Sequence, residues 1–148
     1  MSATAAVRSQ VLAAVHACEE KKAHEISILE LAKGSGAFTD YFVICSGANP
    51  RQIQAIADSV ENRLAAGGQR AAHTEGYSQA DWVLLDYVDF VVHVFSAQAR
   101  KFYDLERLWR SARKLTLAEL ERKRATRASG RAKRPSKKST SRRSKKKA

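Results

Sequence analysis

Cysteine is scarce in this sequence. Cys18 and Cys45 are the only two, too few for the disulfide framework that staples small secreted domains. Cys45 sits in a strand-like apolar run, where a free thiol behaves as a small hydrophobe, so a reducing compartment is expected. Long apolar runs are missing as well, and none approaches the roughly 20 residues that cross a bilayer. No charged segment followed by an apolar one stands at the N-terminus, so no secretory signal is expected. Residues 1–24 follow an amphipathic helical pattern that holds Glu19 and Glu20, which argues against a transit peptide. The expected location is the cytoplasm, with no membrane partner.

Acids are absent beyond Glu121. The net charge of +12 over 148 residues suggests a nucleic-acid binder until it is mapped. Residues 1–121 hold 13 Lys and Arg against 15 Asp and Glu, whereas residues 122–148 hold 14 Lys and Arg and no acid. The headline charge belongs to a tail, and the body is slightly acidic. Such a body can meet a basic protein while the tail meets phosphates. Beyond Ala128 only Lys, Arg, Ser, Thr, Ala, Gly and Pro occur, a composition that cannot bury a core and is expected to be disordered alone. Domain organisation follows: a folded domain over residues 1–114, and a charged helix running into a basic tail over residues 115–148.

Catalytic signatures are lacking too. Neither a Walker loop nor a G-x-G-x-x-G fingerprint is present. The segment Ser46–Arg51 brings a strand end, a glycine and a helix start together, which is generic anion-binding geometry and equally a capped turn. Asp86 and Asp89 lie three apart across a turn, without the further carboxylate or His that a metal site needs. Gly34 and Ser35 precede a single Asp40, where a metal-dependent nucleotidyl transfer wants paired carboxylates. His93 lies inside an apolar strand and reads as a core residue. Cys45 has no basic neighbour to activate it. No nucleophile, base and orienting group form a set, so neither catalysis, cofactor nor metal is expected.

What the sequence does contain is concentrated in Asp81–Ser96, DWVLLDYVDFVVHVFS. No Gly or Pro interrupts it, and β-branched and aromatic residues dominate, so it reads as two strands joined at Tyr87–Val88–Asp89. Alternation puts Trp82, Leu84 and Asp86 on one face and Val83, Leu85 and Tyr87 on the other. Both faces are apolar, so both need cover, as in a central hairpin of a sandwiched sheet. Glu75, Asp81, Asp86 and Asp89 surround the hairpin. Acids flank turns routinely, yet as a group beside Trp82 and Tyr87 they point to a binding surface. Trp82 and Tyr87 are the candidate anchors, although alternation sends them to opposite faces unless the turn rotates Tyr87.

Around the hairpin, a helix is expected over Thr4–Ala23, with Val7, Val11, Ala14, Val15 and Cys18 inward and His16 and His24 at its margins. Strands are expected at Ile26–Leu31 and Asp40–Ser46, as antiparallel neighbours. Asn49 and Pro50 cap and open a helix to Ala66, with Ile53, Ile56, Ala57, Val60 and Leu64 as its buried stripe and Gly67–Gly68 as its end. A short strand is expected at Arg70–Thr74. After the hairpin, Ser96 caps a last core helix whose stripe is Phe102, Leu105, Leu108, Trp109 and Ala112. From about Thr116 a charged helix has little left to bury. The sum is an α/β domain, a five-stranded mixed sheet flanked by helices.

These blocks resemble the ribosomal silencing factor (Iojap-related) family. The resemblance rests on T-D-Y-F-V-I-C-S-G at Thr39–Gly47, R-Q at Arg51–Gln52, A-I-A-D at Ala55–Asp58 and E-G at Glu75–Gly76. It continues through D-W-V-L-L-D-Y at Asp81–Tyr87, V-H-V-F at Val92–Phe95 and R-K-F-Y-D-L-E-R-L-W at Arg100–Trp109. It implies a nucleotidyltransferase-like fold lacking the catalytic carboxylates. It also implies docking on the large ribosomal subunit through its ribosomal protein number fourteen, which sterically blocks the small subunit and represses translation in starvation. A part in large-subunit biogenesis is a further implication. Charge complementarity to a basic ribosomal protein makes Trp82, Asp86, Tyr87, Asp89, Asp81 and Glu75 the expected contacts. The tail, outside the shared pattern, offers Arg131, Lys133, Arg134, Lys137, Lys138, Arg142 and Arg143 to ribosomal RNA. A monomer or weak homodimer is expected. Two departures stand out: Val88 occupies a position where the family usually has Gly, and Glu25 one where it often has Asp. The competing readings are a nucleotide-handling enzyme using the Gly47–Asn49 loop and a general RNA binder driven by the tail.

Overall fold

The computed structural model describes residues 3–121 except 33 and 35; the seven tail cations named for RNA therefore lie outside the described residues. The chain runs α1 (Ala3–Glu20), β1 (His24–Glu30), β2 (Tyr41–Gly47), α2 (Pro50–Ala66), β3 (His73–Glu75), β4 (Trp82–Asp86), β5 (Phe90–Ser96), α3 (Ala97–Tyr103), α4 (Leu105–Leu108) and β6 (Arg113–Leu115). The strands form one sheet in the order β3-β4-β5-β2-β1-β6. Among the described residues, only β2 and β5 pair in parallel, over seven residues from Tyr41↔Phe90 to Gly47↔Ser96. A parallel pair needs a long crossover, and the segment carrying α2, β3 and β4 supplies it. These two central strands are the most apolar in sequence and the most buried: all of β2 and all of β5 but Ser96 are withdrawn from solvent.

One face of the sheet is covered by the two long helices. Val11, Val15 and Cys18 of α1 and Ile53, Ile56 and Val60 of α2 pack with Val43, Val83, Leu85, Val92 and Val94 in the main core. The start of α2 is fixed as its sequence demands. Asn49 Oδ1 accepts the Gln52 N–H at 2.8 Å, and Pro50 takes the first turn, where its missing donor costs nothing. Among the described residues, the opposite face is covered by α3, α4, the segment after them and Ala37 of the β1–β2 loop. Leu29, Phe42, Ile44, Val91 and Phe95 form a second cluster there, with Trp82, Leu84, Leu105 and Trp109 half-buried at its margin.

Three expectations need correction. The sheet has six strands: Arg113–Leu115 pairs antiparallel with β1, placing Leu115 opposite Ile28. The expected last core helix, capped by Ser96 and carrying the stripe from Phe102 to Ala112, breaks at Asp104, whose φ of 47° is left-handed, a conformation an Asp tolerates better than most residues. The stripe therefore splits. Leu105, Trp109 and Ala112 pack on the second cluster, but Phe102 and Leu108 are 80% and 70% exposed. Third, the charged segment does bury something. Thr116 and Glu119 form a reciprocal cap, with bonds of 3.0 and 2.9 Å, and the helical turn at 117–121 sets Leu120 fully inside the main core.

A polar knot holds the broken helix in place. Arg100 makes a two-pronged pair with Glu106, at 3.2 Å from Nε and 3.0 Å from Nη2, and also donates to Ser46 Oγ at 3.1 Å. Ser27 Oγ donates to Glu106 at 2.6 Å. Burial pushes the Glu106 carboxyl up, but the hydrogen bonds from Arg100 and Ser27 outweigh it and hold it below its ordinary value.

Candidate partner-binding surface

β4 delivers the surface by alternation. Val83 and Leu85 point into the helix-covered core, while Trp82, Leu84 and Asp86 stand half-buried on the thinly covered face. Trp82 is partly buried and held by its neighbours. Its indole N–H donates to His93 Nδ1 at 3.1 Å, and its ring lies 4.9 Å from Phe95 and 4.5 Å from Tyr103. Burial lowers His93 to about 3, so the imidazole is neutral and its Nδ1 stays an acceptor. His93 meets the edge of Phe42 at 4.6 Å; it is a core residue.

Tyr87, the other expected anchor, is withdrawn. Strand alternation sends it to the helix face, where it stacks on Phe90 at 5.0 Å and is buried in the main core. Burial, with Glu61 nearby, pushes its hydroxyl up to about 12, and among the described residues that hydroxyl has no hydrogen-bond partner. Trp82 is thus the one of the pair that reaches solvent.

The four acids are strung along the hairpin rather than clustered. Asp81 lies at one end of β4 and Asp86 at the other, separated by five residues of extended chain, roughly 17 Å. Three of the four are partly engaged at home. Asp81 accepts the Ser96 hydroxyl at 2.6 Å, Asp86 accepts the Val88 N–H at 2.8 Å, and Glu75 pairs with His73. Asp89 is exposed, and its carboxylate has no partner among the described residues.

The turn that carries Asp89 is strained. Val88 has a φ of 73°, and the Asp89 N–H reaches back to the Tyr87 carbonyl at 2.8 Å, closing a three-residue turn. Positive φ is costly for a β-branched residue. Glu25 behaves alike: its φ is 48°, and it lies where the register of β1 against β2 slips. Gly at 88 and Asp at 25 would suit this backbone better than the residues present.

Elsewhere the candidate chemistry closes on itself. At the β2–α2 junction Asn49 and Gln52 occupy the Gln52 and Ala48 N–H groups. Among the described residues no three His, Cys, Asp or Glu side chains gather as a metal site, and no helix is long and apolar enough to cross a membrane.

The model of the family described as ribosomal silencing factor during starvation matches residues 4–147. This chain belongs to the ribosomal silencing factor family. The Bacillus subtilis ribosomal silencing factor is 40% identical over 108 residues, covering 73% of this chain and 88% of that protein. Its counterpart from Halalkalibacterium halodurans is 42% identical over 99 residues, covering 67% and 84%. A crystal structure of a Chromobacterium violaceum protein superposes with a TM-score of 0.68 at 30% identity, over 78% of this chain and 92% of that one.

Sequence reasoning missed two residues beside Trp82. Tyr103 is 47% exposed, and Phe102 lies against it at 5.0 Å. Both sit in the R-K-F-Y-D-L-E-R-L-W block, where Phe102 is expected in a buried stripe because i, i+3 spacing looks the same whether or not the helix continues, and Tyr103 lies outside that stripe.

Proposed function

We propose that the protein docks on the large ribosomal subunit through that subunit's ribosomal protein number fourteen and there blocks the small subunit from joining. It acts in the cytoplasm, represses translation without catalysing a reaction, and by docking on immature large subunits takes part in their assembly. The observation that carries this reading is the strip formed by Trp82 and Leu84: half-buried and apolar, on the thinly covered face of the sheet, in a chain of this family. Trp82 is the centre of the contact. Asp81, Glu75, Asp86 and Asp89 set approach and register against a basic partner, and Tyr87 backs the turn from within.

Sedimentation with separated subunits tests this. The chain should travel with large subunits and not with small subunits or joined ribosomes. Trp82→Glu should weaken docking about 30-fold or more, the effect of removing a hot spot of roughly 2 kcal/mol. Equal binding to joined ribosomes would sink the steric block. Unchanged docking by a folded Trp82→Glu would move the contact off β4.

A further inference from the structure

We propose that the α3–α4 surface is a stacking platform for single-stranded ribosomal RNA, beside the protein-facing strip and separate from the tail. The break at Asp104 turns Phe102 and Leu108 outward while the Arg100–Glu106 knot fixes the segment from below. Phe102, 80% exposed, meets the edge of Tyr103 at 5.0 Å, and Tyr103 in turn lies 4.5 Å from Trp82. Lys101, Arg107 and Arg110 stand exposed around the rings, and with Phe102, Tyr103 and Leu108 they line one open cleft of about 500 Å³. Asp104 also lines it and is the one acid among the lining residues. None of the three cations has a carboxylate partner among the described residues, whereas Arg8, Arg63, Arg100 and Arg113 all do.

Exposed rings ringed by unpaired cations suit one class of partner better than others. A basic ribosomal protein is drawn to the acids of the hairpin and repelled here. A nucleic acid strand offers phosphates to Lys101, Arg107 and Arg110 and unstacked bases to Phe102 and Tyr103. A duplex keeps its bases stacked and leaves the rings nothing to cover. Because Tyr103 joins this platform to Trp82, one large subunit can present protein to the strip and RNA to the platform at once. The proposal deepens the docking reading, but its test uses free RNA and so stands or falls apart from it.

The test measures full-length protein binding a labelled 12-nucleotide oligouridylate across a range of salt. Phe102→Ala should weaken binding about tenfold with the salt slope unchanged, because a stacking contact releases no counterions. Phe102→Trp should retain affinity. Replacing Lys101, Arg107 and Arg110 together by Ala should reduce the salt slope by about 2, at roughly 0.7 per lost phosphate contact. On a 12-base-pair RNA duplex Phe102→Ala should change nothing. Phe102 is exposed enough for the fold to survive its loss, and equal melting temperatures check this. The proposal is overturned if Phe102→Ala binds oligouridylate like the parent, leaving the tail to carry all affinity. It is equally overturned if the loss is the same on the duplex, or if Phe102→Ala loses the isolated ribosomal protein while keeping RNA.

Discussion

Replacing Val88 by Gly should stabilise this protein, although it removes a side chain from the central hairpin. Val88 sits at a φ of 73° in a three-residue turn closed by the Asp89 N–H to Tyr87 carbonyl bond, and it is 59% exposed. A β-branched residue in that region costs about 2–3 kcal/mol, the upper part of the range for strained backbone positions. Glycine removes that cost. Against it stand about 0.5–1 kcal/mol for the extra freedom of an unfolded glycine and about 0.5 kcal/mol for the part of the valine side chain now covered. The net is a gain of about 1 kcal/mol, or roughly 4 °C in melting temperature for a domain of this size. Asp86 still accepts the N–H of residue 88, so the turn keeps its shape and the acids their places. Val88→Asn is the control. Asn tolerates the left-handed region without glycine's unfolded-state freedom, so it should also melt higher than the parent. If both variants melt at or below the parent, the turn is not strained and the argument fails.

Gly76 predicts the opposite sign: its φ is 79°, and a Cβ there would lie 2.1 Å from the Trp82 carbonyl oxygen. Gly76→Ala should therefore cost about 2 kcal/mol or more and shift the hairpin, read by thermal melting; an unchanged melt would refute the close approach. His93 predicts an acid limb of instability. Its folded value, about 3, lies below the ordinary 6.5, so the unfolded chain binds the extra proton first. The stability gained by burying it neutral is complete above about pH 6.5 and is lost progressively as pH falls toward 3. Melting between pH 7 and pH 4 should drop less steeply in His93→Gln than in the parent, and identical slopes would count against the buried neutral imidazole.

Much of this molecule is written locally. Hydrophobic alternation in Asp81–Ser96 fixed which side chains face each layer, because a strand's period of two leaves no third option. It separated Trp82 from Tyr87 before any packing was known. The Asn49–Pro50 and Ser96 caps fixed two helix starts, because the first turn's orphan N–H groups accept few partners. The resemblance carried by Thr39–Gly47 and Arg100–Trp109 pointed to the right family. Other features were decided only when distant segments met. Whether Phe102 and Leu108 are core or surface depends on Asp104 entering the left-handed region. That bend is secured by Arg100 and Glu106 reaching Ser27 and Ser46, residues some 50 to 80 positions away. Arg113–Leu115 is too charged to announce a strand, and it becomes one because the free edge of β1 offers unpaired backbone groups. Leu120 looks stranded in a run of charges until the Thr116 cap turns it onto the core. Periodicity reports where a residue points on its own element. Whether anything is there to meet it depends on the elements packed opposite.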